Sequence, residues 1–139
     1  MAIEEVEQAN ARFYKAFEEC STAAMDQVWL QADWVRCIHP GSEIVVGWKE
    51  VRNSWAEIFS STKSIKLSIS NLFIKVVGDM AWVECLENIA TFFEHGFTSG
   101  QVQSTNIFLR TEDGWKMIHH HASLLPADVP DDWDEDILH

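Results

Sequence analysis

The sequence predicts an α+β fold, with helices first, a curved antiparallel sheet after them, and the helices covering the concave face of that sheet. Three observations carry this. Apolar residues recur at helical spacing up to about residue 60, strict alternation begins at residue 64, and the alternating runs are joined by turns containing Gly and Asp. Helical and strand patterns kept apart along the chain indicate segregated layers, not repeated βαβ units.

Each element follows from its own pattern. Ile3, Val6, Asn10, Phe13, Phe17 and Cys20 fall at three- and four-residue steps, which predicts an amphipathic helix of about five turns. Ser21 or Thr22 caps a short second helix that carries Met25, Val28 and Trp29. Residues 34–39 form a short strand stopped by Pro40-Gly41. A third helix starts near Gly47, with Val51, Trp55, Ile58 and Phe59 on one stripe. Ile65, Leu67 and Ile69 then alternate with polar residues, whereas Leu72, Ile74 and Val76 alternate in the opposite phase. A strand changes phase only by adding a residue, so a bulge or sharp bend is expected at Ser70-Asn71. Gly78-Asp79 turns the chain into a strand over 80–94, a looser turn over 96–100 leads into one over 101–110, and Asp113-Gly114 leads into one over 115–124.

Size and charge narrow the function classes. With 139 residues the chain is read as one domain over 1–125 and an acidic tail over 126–139, in which Trp133 and Ile137-Leu138 form an arm able to dock on a neighbour. Hydrophobic residues at 47% support a real core, and most of the seven Trp and eight Phe belong to it or to a subunit interface. A formal charge of −12 argues against nucleic acid and against anionic membranes, because both require clustered positive charge. Cys20, Cys37 and Cys85 are odd in number and set in apolar runs, so they read as free buried thiols in a reducing compartment. The N-terminus is acidic and amphipathic, unlike a signal peptide, and no apolar run reaches the ~20 residues of a membrane span. A cytoplasmic location is expected.

The order of elements, together with Ile38-His39-Pro40, Gly47 opening a helix with Trp55 and Phe59, residues 78–83 (GDMAWV), and the run from Thr105 through Asp113-Gly114-Trp115 to His119, His121 and Ser123, resembles the cone-shaped nuclear-transport-factor-2-like superfamily, especially its SnoaL-like branch. The likeness covers about residues 3–124, and the association domain of calcium/calmodulin-dependent protein kinase II is similar in the same places. The resemblance implies a cavity inside the cone and a dimer. It implies no single reaction, since the superfamily holds isomerases, cyclases, dehydratases and oligomerisation modules. The kinase association domain lines its pocket with arginines; ungapped placement puts Glu87, Asn106 and Ala122 there, which implies a cavity that does not attract carboxylates. The tyrosine donor of the ketosteroid isomerases has no obvious counterpart, because the single tyrosine, Tyr14, lies on the first helix.

Alternation places Glu84 and Glu87 on opposite faces of their strand. If Val83, Cys85 and Ile89 point inward, Glu87 is the inner acid, and burial raises its pKa into the range of a general base. The competing account pairs Glu87 with Arg36, Arg52 or Arg110. His120 or His121, or His39, would supply the proton donor, and Asn106 would hold a ligand oxygen. Tyr14, Phe17, Trp29, Trp34, Trp55 and Phe59 are the candidate cavity wall. His119 and His121 share one side of their strand and resemble two metal ligands, but no Asp or Glu stands at helpful spacing there, so neither a metal nor a cofactor is assigned. The pattern leaves open which of the three histidines faces the cavity. The sequence thus predicts a pocket for a small hydrophobic or aromatic molecule. A small lyase or isomerase using Glu87, and a non-catalytic oligomerisation module, stand as alternatives. Trp82, Glu84, Thr105 and Ile107 fall on the outer face of the sheet, through which a homodimer is expected.

Overall fold

The computed structural model describes residues 1–126, so the docking arm expected in the tail lies outside the described residues. Helix α1 (Ala2–Glu18) buries Val6, Asn10 and Phe13 of the predicted stripe and Tyr14 beside it, while Ile3 at its start is exposed and Cys20 lies beyond its end. Its end reverses at Cys20, whose φ is +53°, and the Ser21 hydroxyl accepts from Ala24 N at 3.0 Å to cap α2 (Thr22–Val28). Strand β1 (Arg36–Ile38) is followed by β2 (Val45–Val46), a two-residue strand that alternation over so short a span cannot reveal.

Helix α3 (Trp48–Ser60) begins after Gly47. There the φ is +86°, and an added Cβ would lie 3.2 Å from the carbonyl oxygen of Asp33. Conformation and space both favour glycine at this junction. Four long strands follow, β3 (Ser64–Val77), β4 (Met80–Phe93), β5 (Gly96–Thr111) and β6 (Gly114–Leu124). The turn between β4 and β5 is tighter than the sequence suggested. Phe93 pairs with Gly96, so residues 96–100 already belong to the strand.

The sheet order is β2-β1-β6-β5-β4-β3, antiparallel throughout except that β1 runs parallel to β6. The β3–β4 register shifts between Ser70 and Phe73, with Asn71 at φ +53°, where the change of phase required an extra residue. A second shift, at Ile107 and Phe108 of β5, was not visible in the pattern. Ile107 pairs with His119 but Phe108 pairs with Met117, leaving Ile118 as the extra residue on β6.

Helices α1 and α3 close the concave side through an aromatic core in which Trp55 meets Phe13, Phe17 and Phe59 at centroid distances of 5.6, 4.9 and 5.7 Å. These are the edge-on and tilted contacts that aromatic quadrupoles favour. The fold is therefore α+β, a curved sheet wrapped around N-terminal helices. Among the described residues, no helix is long and apolar enough to cross a membrane.

Candidate functional site

The concave face of the sheet carries a row formed by Cys37, His120, Asn106 and Val83 on adjacent strands. The next positions along β4 and β5 bring in Cys85, Ser104 and Glu87. Glu87, Ser104, Asn106 and His120 are all buried. Buried polar groups of this kind require partners, and the partners form one connected network.

Glu87 Oε2 accepts from the Tyr14 hydroxyl at 2.7 Å and from the Ser104 hydroxyl at 2.6 Å. The single hydroxyl hydrogen of Tyr14 is spent on that carboxylate, so its oxygen accepts from Asn106 Nδ2 at 3.0 Å. Asn106 Nδ2 donates its second hydrogen to Asn10 Oδ1 at 2.9 Å. The Oδ1 of Asn106 therefore faces His120 Nδ1, 2.5 Å away, and must accept from it. His120 accordingly carries its hydrogen on Nδ1 and keeps a bare lone pair on Nε2.

His39 is set in the same way. Ser54 Oγ spends its hydrogen on Val51 O at 2.6 Å, so it accepts from His39 Nε2 at 2.9 Å, and the His39 lone pair sits on Nδ1.

Of these groups Glu87, His120 and His39 border a cavity of about 400 Å³. Phe17 of α1, Ile58 of α3, Ile65 of β3, Ile89 of β4, Val102 of β5 and Ala122 of β6 supply its apolar wall. Glu87, His120 and His39 are its inner polar groups, and Thr91, Thr98, Ser99 and the exposed Leu124 stand at the open end. No Lys or Arg borders it. Glu87 Oε1, His120 Nε2 and His39 Nδ1 make no hydrogen bond to a described residue. None is fully sealed from solvent either, since the only buried unpartnered side-chain polar atoms among the described residues are the indole Nε1 of Trp29 and of Trp55. All three residues border the cavity, and these are the polar atoms they leave unpartnered.

Burial raises the Glu87 carboxyl above the ordinary carboxylate range, opposed by the hydrogen bonds from Ser104 and Tyr14. Burial also pushes His120 down to about 3, with His39, His119 and His121 adding smaller repulsions. His39 is lowered for the same first reason. Tyr14 is held well above its usual value by burial and by the facing Glu87. At neutral pH both cavity imidazoles are thus uncharged.

Several predicted site residues come together here and others do not. Glu87, His120, His39 and Phe17 border the cavity. Tyr14 and Asn106 lie behind it as links of the network, so Tyr14 is a partner of the acid and not a wall. Trp29, Trp55 and Phe59 belong to the packed core. Trp34 is 49% exposed and does not border the cavity, because it precedes β1 in a loop outside the cone. The arginine pairing weighed for Glu87 is not formed. Arg52 binds Asp26 at 2.7 Å, Arg110 lies over the Trp115 ring, and Glu87 has no ion pair among the described residues.

His120 points inward, whereas His119 and His121 point outward with their rings 6.3 Å apart. Among the described residues, no cluster of three or more His, Cys, Asp or Glu is arranged to hold a metal. Sequence reasoning missed Ser104 and Asn10. The alternation that places Asn106 inward also places Ser104 inward, and Asn10 was the one polar residue on the apolar stripe of α1.

The family model of the SnoaL-like domain matches residues 6–128. The chain belongs to the SnoaL-like family. A curated relative, the F-box protein SKIP8 of Arabidopsis thaliana, is 29% identical over 119 residues, 86% of this chain and 49% of the relative. The chain thus spans about half the length of the curated relative it matches. Among solved structures, a provisionally named dehydratase of the nuclear-transport-factor-2-like family from Streptomyces avermitilis is 36% identical, with a TM-score of 0.84 over 90% of this chain and 96% of that one. A provisionally named calcium/calmodulin-dependent protein kinase type II association domain from Thiobacillus denitrificans is 30% identical, with a TM-score of 0.77 over 86% and 94% of the two chains. The SnoaL-like chain described here shares the cone of both.

Proposed function

We propose that this SnoaL-like protein binds a small, mainly apolar or aromatic molecule in the cavity between α1, α3 and the concave sheet, and that Glu87 exchanges a proton with it. The observation that carries this reading is the carboxylate itself. One oxygen is fixed by Tyr14 and Ser104, the other is free, and the surrounding wall is apolar. A mostly apolar pocket with a few oriented polar groups is the usual form of a small-molecule site. A carboxyl whose pKa is raised by burial is suited to taking a proton at neutral pH and giving it back.

The proton-transfer activity is supported by the dehydratase name of the 36%-identical relative. In such a step Glu87 Oε1 takes a proton from the ligand carbon next to one bearing a hydroxyl and hands it to that hydroxyl as the C–O bond breaks, so that a C=C bond forms and water leaves. His120 and His39, in the tautomers described, offer lone pairs and accept hydrogen bonds from the ligand. Asn106 acts on His120 from behind, not on the ligand.

The second reading, assembly, has its own observation. Phe73, Val77, Met80 and Trp82 are exposed together on the outer face, and Phe73 meets Trp82 at 6.1 Å. An apolar patch there suits a second copy of the chain, and the 30%-identical association domain supports that use. The buried free thiols Cys37 and Cys85 suit a reducing, cytoplasmic setting for the assembled protein.

The binding reading is tested with a neutral fluorophore, N-phenyl-1-naphthylamine, whose emission rises in apolar surroundings. The wild-type protein is expected to enhance it saturably, and Ala122→Phe, which fills the cavity from β6, is expected to remove the enhancement. Undiminished emission in that variant would show that the dye sits elsewhere and that the cavity reading fails.

A further inference from the structure

We propose that the cavity selects an uncharged ligand whose apolar body carries hydrogen-bond donors, hydroxyl or N–H, aimed at Glu87 and His120, and that it rejects carboxylates of the same shape. This deepens the reading of the cavity as a ligand site and rests on it.

The inference follows from counting hydrogens through the network. The hydroxyl hydrogens of Tyr14 and Ser104 both go to Glu87 Oε2, both Nδ2 hydrogens of Asn106 go to Tyr14 and Asn10, and the His120 hydrogen goes to Asn106. The His39 hydrogen goes to Ser54. Every O–H and N–H of these side chains is therefore consumed inside the protein. What remains for a ligand, with Glu87 ionised, is Glu87 Oε1, His120 Nε2 and His39 Nδ1, all acceptors. The unspent indole hydrogen of Trp55 is sealed from the cavity, and Trp55 does not border it.

A ligand oxygen without a hydrogen, such as a carboxylate, would meet lone pairs on every side and a carboxylate of like charge, with no Lys or Arg to offset it. An ammonium would find acceptors but would have to leave water for a pocket that resists charge. The same burial that raises Glu87 also drives the proton off His120 and His39. A neutral donor satisfies the three acceptors without adding charge. A site built to hydrogen-bond a ligand group discriminates strongly against an analogue lacking it, because its own buried atoms are left unpaired.

The experiment is calorimetric titration of the full chain at pH 7.5 with four naphthalenes of like shape: 2-naphthalenemethanol, 2-methylnaphthalene, 2-naphthoate and 2-naphthylmethylammonium. The alcohol is expected to bind at least about tenfold tighter than each of the others, roughly the discrimination of one well-placed hydrogen bond. In Glu87→Gln the amide oxygen still accepts from Tyr14 and Ser104 and turns an NH₂ group to the cavity. The preference for alcohol over naphthoate is then expected to shrink about tenfold. Naphthoate binding the wild type as tightly as the alcohol overturns the proposal, and so does an ammonium that binds tightest. If methylnaphthalene binds but the alcohol gains nothing over it, the cavity reading stands and this inference alone falls. If none of the four binds, both fall.

Discussion

The two faces of the same strands make different use of the same residue types. On the concave face Glu87, Asn106 and His120 are buried and linked through Tyr14 in one network, and the acid and the imidazole are shifted in pKa. On the convex face Glu84, Thr105 and His121 occupy paired positions, with Glu84 and His121 open to water and Thr105 half-buried. Chemical character here is a property of the face, not of the residue. Burial strips water from the inner set and makes each hydrogen bond a requirement, while solvent makes the outer set replaceable.

The comparison breaks most visibly at the network's hub. Asn106→Ala leaves Asn10 and His120 without side-chain partners and takes one donor from Tyr14, and it is expected to cost at least about 3 kcal/mol in denaturant unfolding. Thr105→Ala next to it should stay within about 0.5 kcal/mol. Equal costs at the two sites would mean that the inner network contributes nothing beyond ordinary packing.

The next effect is in the pH dependence. His120 has a folded-state pKa of about 3, below the ordinary 6.5, so folding opposes its protonation. Its contribution to stability is full above pH 6.5 and is lost as pH falls toward 3, at up to about 1.4 kcal/mol per pH unit. Glu87 acts with the opposite sign. Its raised pKa favours the protonated form, so its contribution is full below the ordinary carboxylate range and is lost as pH rises through the raised value. Urea melts from pH 7 to 4 should show a shallower acid loss in His120→Gln than in wild type. His119→Gln, half-buried on the outer side, should remove a smaller part. Identical slopes in all three proteins would contradict the buried, neutral imidazole.

A smaller change is expected at the two glutamates. At pH 8 Glu87→Gln should raise the thermal midpoint, because a buried charge is removed while the amide oxygen keeps both donors. Glu84→Gln should leave it in place. A marked fall for Glu87→Gln would mean that the ionised form is required by the fold.

The smallest effect on stability sharpens the outer face instead. Trp82→Glu should alter the protomer by less than about 0.5 kcal/mol, since Trp82 is 37% exposed. It should nonetheless shift the protein toward monomer in sedimentation at micromolar concentration. An unchanged sedimentation profile would remove the outer face as the dimer surface.

Local patterns were legible wherever their cause was local. The stripe of α1, the Ser21 cap, the Gly47 start of α3, the bend at Asn71 and the four long strands all follow from spacing or from a residue's own conformational limits. Glu87 was legible as the inner acid for the same reason, since alternation with Val83 and Cys85 runs unbroken along β4. The parallel pairing of β1 with β6, and the two-residue β2, depend on partners far along the chain and left no trace in the spacing.

What the amino-acid order determined alone was the fold class, the family and the inward position of one acid, because helical period, strand period and turn chemistry act over a few residues. The tertiary structure decided which histidine serves the cavity. Trp115 and Met117 point inward, and plain alternation from them would turn His119 and His121 inward as well. The extra Ile118, accommodated only because β5 pairs across it, reverses the phase and delivers His120. It also decided that Tyr14, distant in sequence, holds the acid. A hydrogen bond between a helix and a strand 73 residues apart exists only once the helix is packed on the sheet.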